Sequence, residues 1–345
     1  MSGVELFING VISAFALILS WTAFNMNPSS RFFTIENPLD SSALEINALI
    51  HYPPSHNVGR NPDPTIICLH YWGGSASTYH HIPPALFQAT TLHGTSPSST
   101  VIAISVRGWG GSSCAIPDHP ASYSIKALAS DVFSLLPRFV EDDLIPSSGF
   151  VLCGHSMGGK VCMAILDMIT SSPFNQAHLP PLRGIVLLAP APPTPLVLPV
   201  EMREQQSHAY ETRETVEWTV RNVLASDNGV YLRGGEEDIE VIIRDSLSGS
   251  DGAKKGWVEF GMAERIEVSQ ATSEHFPVRI LASNGDKVEP VEKVKKETKN
   301  SFDKAGFSVR VRVIEENCGH LIPLEAPHIV VEELVSLLND VKAEY

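Results

Sequence analysis

The sequence predicts an α/β fold built on a mostly parallel, doubly wound sheet with one helical insertion, and three observations carry that expectation. Short apolar runs alternate with segments of helical periodicity from Arg31 onward. Most of these runs lack polar alternation, the pattern of strands buried on both faces of a parallel sheet. The alternation stops once, between residues 194 and 276, where the chain turns polar and helix-like without a strand-like run.

Taken in order, Arg31 to Ile35 and Leu44 to Tyr52 read as an opening strand pair, followed by a proline-rich loop with Pro53, Pro54, Pro62 and Pro64. Thr65 to Leu69, Val101 to Val106, Phe150 to Cys153, Ile185 to Leu188 and Val278 to Leu281 are compact apolar or β-branched runs. The last run, Val309 to Ile314, differs because Arg310 and Arg312 alternate with valines, which places it near a sheet edge with one wetter face. Between the strands, Leu128, Val132, Leu135 and Phe139 recur at helical spacing, as do Val161, Ala164, Ile165 and Met168, and finally Val331, Leu334, Leu338 and Val341. Inside the interruption, Thr212 to Ala225 and Glu236 to Leu247 are candidate helices. The implied organisation is a leader over 1–30, a core over 31–193, a helical insertion read as a lid over 194–276, and the rest of the core over 277–345.

Composition narrows the function. The chain has 345 residues, 43% apolar and 19% charged, so it can bury a large core and is neither fibrous nor disordered. A formal charge of −14 without a cluster of Lys and Arg argues against nucleic acid as a partner, because phosphate neutralisation needs concentrated positive charge. The densest basic stretch, Lys293 to Lys299, is interleaved with Glu297 and reads as a solvated helix face. Five cysteines at 68, 114, 153, 162 and 318 form neither a disulfide framework nor a metal-ligand pair, so no metal or cofactor is expected. Cys68 and Cys153 sit in strand-like runs and read as small buried hydrophobes.

The amino terminus stands apart. Leu6 to Ser30 carries no charge, and Val4 to Phe24 is about long enough to cross a bilayer, although Glu5, Asn9 and Gly10 weaken it. It lacks the basic start and cleavage site of a signal peptide. Membrane association through residues 4–24 and an extra helix packed on the domain are both open readings; if it spans, Arg31 and Glu5 place the body on the cytoplasmic side.

The densest chemical signal is Gly154, His155, Ser156, Met157 and Gly158, a G-x-S-x-G pentapeptide between a strand-like and a helix-like run. A sharp strand-to-helix turn lifts the serine hydroxyl out of the backbone, and the helix N-terminus beside it favours developing negative charge. Further on, Asn284 to Pro290 places Asp286 just after a strand, and Asn317 to Pro323 places His320 after another. His70, Tyr71, Trp72, Gly73 and Gly74 follow the strand Thr65 to Leu69, and Arg107 to Ser112 follow the next one.

Together these motifs resemble the α/β-hydrolase superfamily, in its lid-bearing branch of esterases, lactonases, carbon–carbon bond hydrolases, haloperoxidases and epoxide hydrolases. The resemblance runs from about Arg31 to the C-terminus, the insertion excepted. It implies Ser156 as nucleophile, His320 as the base that takes its proton, and Asp286 as the acid orienting the imidazole. It also implies an oxyanion hole from the backbone N–H groups of Trp72 and Met157, with Tyr71 replacing the family's usual glycine. The Arg107 to Ser112 turn would be architectural.

Candidate pocket residues are His70, Tyr71, Trp109 and Trp218, with Trp257 beside them, although aromatic residues this sparse also serve as plain core. A serine nucleophile suits acyl electrophiles, whereas epoxide hydrolases and dehalogenases of this fold attack with a carboxylate. The resemblance therefore implies a serine hydrolase acting on a small-molecule ester, thioester, lactone or related acyl substrate. An acyltransferase or cyclising enzyme with the same triad, and a non-catalytic ligand-binding protein on the same fold, are the alternatives.

Overall fold

In a computed structural model of the protein, residues 28–37, 41–54, 62–92, 94–172, 179–270 and 276–342 are described. Residues 4–24 of the apolar leader lie outside them, whereas Ser29 and Ser30, expected to close the leader, open the first strand. Among the described residues, no helix is long and apolar enough to cross a membrane.

All eight expected strands form. They are β1 (Ser29–Glu36), β2 (Ala43–His51), β3 (Thr65–Leu69), β4 (Val101–Ile104), β5 (Phe150–His155), β6 (Leu182–Leu188), β7 (Pro277–Ser283) and β8 (Ser308–Ile314). They join in one sheet of order β1-β2-β4-β3-β5-β6-β7-β8. Only the β1–β2 and β2–β4 pairings are antiparallel. β3, β4 and β5 lie in the middle and are buried along their whole length, which explains why their sequences never alternate.

Strand periodicity divides the core into two layers. Ile67, Leu69, Ile102, Ile104 and Leu152 face one layer, while their neighbours Ile66, Cys68, Val101, Ala103 and Val151 face the other. Helix α1 (Ile82–Gln88) covers the second layer. Helices α2 (Ile125–Glu141) and α3 (Met157–Thr170) cover the first. Ser124 caps the start of α2, accepting a bond from Ala127 N at 3.2 Å.

The interruption between 194 and 276 contains no strand among its described residues. It holds α4 (Val200–Ser207), α5 (Arg213–Thr219), α6 (Glu236–Ser248) and α7 (Asp251–Gly256), with π-helical turns at Val220–Leu224 and Trp257–Gly261. Buried Lys160 of α3 anchors it. Its Nζ donates to the carbonyls of Gly261 at 3.1 Å, Met262 at 3.2 Å and Thr194 at 3.5 Å, tying both ends of the insertion to one helix. Burial pulls the Lys160 ammonium down to about 8.

The last helix, α8 (Pro327–Lys342), packs on the second layer and explains the arginines of β8. Arg312 meets Glu332 at 2.7 Å and Glu333 at 3.2 Å. Among the described residues β8 pairs only with β7 and ends the sheet, in keeping with the alternation that placed it near an edge.

Arg107 braces the top of the sheet. It is fully buried, forks onto the buried carboxylate of Asp131 in α2, and donates to Ser122 O at 3.1 Å and Asn37 Oδ1 at 3.3 Å. Removing one partner strands the other charge in the core. Arg107→Leu is therefore expected to destabilise the fold by about 3–5 kcal/mol, read as a lower denaturation midpoint, while pairing it with Asp131→Leu recovers most of the loss. A single variant as stable as wild type would show that the pair is dispensable.

Candidate active site

Ser156 occupies the corner between β5 and α3 in a backbone conformation that side chains rarely adopt, with φ 53° and ψ −114°. Such strain costs about 1–3 kcal/mol and persists only where the surroundings fix it. Here the fixing bonds are visible. Ser156 N donates to Leu188 O at 2.9 Å, and Ser156 O accepts from Ala191 N at 3.1 Å and Gly159 N at 2.9 Å.

The glycines either side are sterically required. A Cβ on Gly158 would lie 2.1 Å from Leu69 O, and one on Gly154 would lie 2.5 Å from Gly158 O. The close approach packs α3 onto β3 and lifts the serine above the sheet. Its side chain makes no capping bond to α3, so the hydroxyl is left for the cavity that it lines.

His320 lines the same cavity. Its Nδ1 lies 2.8 Å from Asp286 Oδ2, and both side chains are buried. Asp286 Oδ1 in turn accepts from Val288 N at 2.7 Å and Glu289 N at 2.9 Å, so the carboxylate is held on both oxygens. Burial works against both charged forms, and mutual attraction outweighs it. Asp286 is held below the usual carboxylate range by His320 and the two N–H donors, and His320 is held above the ordinary imidazole value by Asp286.

Three further contacts fix the His320 backbone. His320 N donates to Leu224 O at 2.7 Å. His155 Nε2 donates to His320 O at 2.7 Å, and burial pulls that imidazole down to about 3, so it is a neutral donor. Glu325 accepts from Gly319 N at 2.8 Å and from Ser226 N at 2.7 Å, joining the histidine loop to the insertion.

Trp72 is clamped at two points by the insertion. Its carbonyl accepts from Tyr210 Oη at 2.8 Å, and its indole Nε1 donates to Lys254 O at 3.0 Å. Its own N–H finds no backbone acceptor among the described residues. Met157 is the first residue of α3, and its N–H has no intrahelical acceptor by position. Trp72, Ser156 and His320 line one cavity, and Met157 directly follows the serine.

A sequence model of the alpha/beta hydrolase family matches residues 66–333. The chain belongs to this family. Among alpha/beta hydrolases it is 23% identical to a soluble epoxide hydrolase from Corynebacterium sp. (strain C12), over 83% of this chain and 93% of that protein. It is 32% identical to the sn-1-specific diacylglycerol lipase ABHD11 of Mus musculus, over 36% of each chain. In fold it is similar to a thermophilic esterase from Thermogutta terrifontis, with a TM-score of 0.61 at 18% identity, over 90% of this chain and 99% of the esterase. The family supports hydrolysis as the general activity.

The cavity of this alpha/beta hydrolase is about 90 Å³, and its wall comes largely from the insertion, including Leu196, Met202, Tyr210, Leu224, Trp257 and Met262. Of the residues expected in the pocket, Tyr71 and Trp257 are in the wall, whereas His70, Trp109 and Trp218 are not. Each has a physical reason. His70 is a buried brace whose Nδ1 donates to Tyr71 O at 2.7 Å and whose Nε2 accepts from Val106 N at 3.1 Å. Trp109 packs in the core, edge-on to Tyr210 at 6.3 Å between ring centroids. Trp218 is 50% exposed on the outer face of α5.

Tyr71, the departure from the family's usual glycine, packs its ring 5.1 Å from that of His155, and its buried hydroxyl has no hydrogen-bond partner among the described residues. Glu289, also in the wall, is pushed up by burial to about 7, with Lys293 at 2.9 Å opposing.

Proposed function

We propose that the protein is a serine hydrolase that cleaves an ester, thioester, lactone or related acyl bond through an acyl-enzyme on Ser156. The observation that carries this reading is the strained serine sharing one cavity with an imidazole that is bound through Nδ1 to a buried carboxylate. In the proposed cycle, His320 takes the Ser156 proton as the hydroxyl attacks the acyl carbon, then gives it to the leaving group. The N–H groups of Trp72 and Met157 stabilise the oxyanion. Water activated by His320 then hydrolyses the acyl-enzyme.

The same reading makes the insertion a lid that shapes substrate access. A cavity of about 90 Å³ is well below the ~300–1,000 Å³ of drug-sized sites, and its lining is mixed. This favours a short acyl group carrying one polar function within reach of Tyr71 Oη or Glu289.

A panel of p-nitrophenyl esters, run beside fluorophosphonate labelling, tests the proposal. Acetate and butyrate esters are expected to exceed decanoate in kcat/KM by at least ~10-fold. Absence of both turnover and labelling in folded protein would refute the enzyme and favour a ligand-binding role.

A further inference from the structure

Away from this cavity, a second cluster joins the core to the insertion. His80 and His81 stand in the turn just before α1, and Asp238 stands on α6. The Nε2 atoms of both histidines lie 3.0 Å from Asp238 Oδ1, and that of His81 lies 3.1 Å from Oδ2. All three ligand atoms fall within 4.8 Å of one another. We propose that His80, His81 and Asp238 form a divalent transition-metal site, of the zinc class, that clamps the insertion to the core.

The chemistry of the donors supports this. His80 Nδ1 donates to Ser77 O at 2.7 Å, which leaves Nε2 as the lone-pair nitrogen facing the carboxylate. A lone pair facing a carboxylate takes either a proton or a metal ion between them. The two imidazole rings lie 3.8 Å apart between centroids, and both Nε2 atoms converge on the same carboxylate oxygen. One divalent ion satisfies both nitrogens while the rings stay neutral, and donor atoms 3.0 Å apart approach the ~3.3 Å edge of a tetrahedron with zinc-length bonds.

The carboxylate is also preset. Asp238 Oδ2 accepts from Gly234 N at 2.7 Å, and the side chain is 1% exposed, whereas His80 and His81 are 35% and 20% exposed and leave a path for entry. His81 borders a surface groove of about 670 Å³, so a fourth position can take water.

The location gives the ion a consequence. Beyond Asp238, α6 carries Ser246, which donates to Gly73 O at 2.7 Å, and Asp245, which accepts from Ser75 Oγ at 2.5 Å. A metal at the start of α6 thus stiffens the helix that supports the Trp72 loop. The site is invisible to residue spacing because Asp238 stands 157 positions beyond His81.

The test uses chelator-treated full-length protein titrated with Zn²⁺ alone. Calorimetry should give one equivalent bound with Kd below ~1 µM, and the melting temperature should rise by about 4 °C or more. His81→Gln and Asp238→Asn should each weaken binding by at least ~100-fold while retaining fluorophosphonate labelling. If either variant fails to fold, Co²⁺-loaded wild type decides: a tetrahedral visible spectrum without thiolate charge-transfer supports the site, and a thiolate band assigns the ion to a cysteine. No saturable binding, or tight binding that both folded variants retain, overturns the proposal.

Discussion

Replacing Ser156 by alanine is expected to lower kcat for ester hydrolysis by about 10⁴–10⁶-fold and to abolish fluorophosphonate labelling. The size follows from the role proposed for the hydroxyl. Without it no acyl-enzyme forms, and His320, Trp72 and Met157 can only orient substrate and stabilise charge from adventitious water attack. KM should change little, because binding energy comes from the cavity wall and not from the nucleophile. Folding should survive, since the bonds that fix this corner run through Ser156 N and O and not through its side chain. Alanine still bears a Cβ at φ 53°, so the local strain is kept and stability should stay near that of wild type. Variant turnover within ten-fold of wild type, from protein free of contaminating esterase, would remove Ser156 as nucleophile.

Parts of this architecture were readable from the chain and parts were not, and the difference is physical. The central strands were legible because burial on both faces demands unbroken apolar runs such as Thr65–Leu69 and Phe150–Cys153. The glycines at 154 and 158 were legible because backbone contact under 3 Å excludes any side chain. The cavity wall was not, because Met202, Tyr210 and Trp257 reach it only through the way the insertion docks. Trp218 and Trp257 look alike in sequence, yet one is 50% exposed and the other is in the wall. Lys160 and His155 were overlooked for a related reason. A buried cation held by three carbonyls and a neutral imidazole holding a backbone carbonyl have no local signature, since their partners lie far along the chain.

Asp286→Asn is expected to cut kcat by about 10⁴-fold while leaving the melting temperature nearly unchanged, a combination that separates a proton-relay role from a structural one. Asparagine keeps an Oδ1 that can accept from Val288 N and Glu289 N, so the turn retains its internal bonds. What it loses is the charge beside His320 Nδ1. The wild-type imidazole is held above its ordinary value, so its working neutral form accumulates only as pH rises through that raised value, and the acid limb of kcat/KM sits correspondingly high. Without the carboxylate, burial dominates and pulls the imidazole down, so the acid limb of the residual activity should move to lower pH. Glu289 provides the control. It is a buried carboxyl in the same wall, pushed up to about 7, and Glu289→Gln should alter discrimination among polar acyl groups without moving the limb downward by a comparable amount. If Asp286→Asn retains kcat within ten-fold while Glu289→Gln loses it, the orienting acid is Glu289, and the contact between Asp286 and His320 is structural.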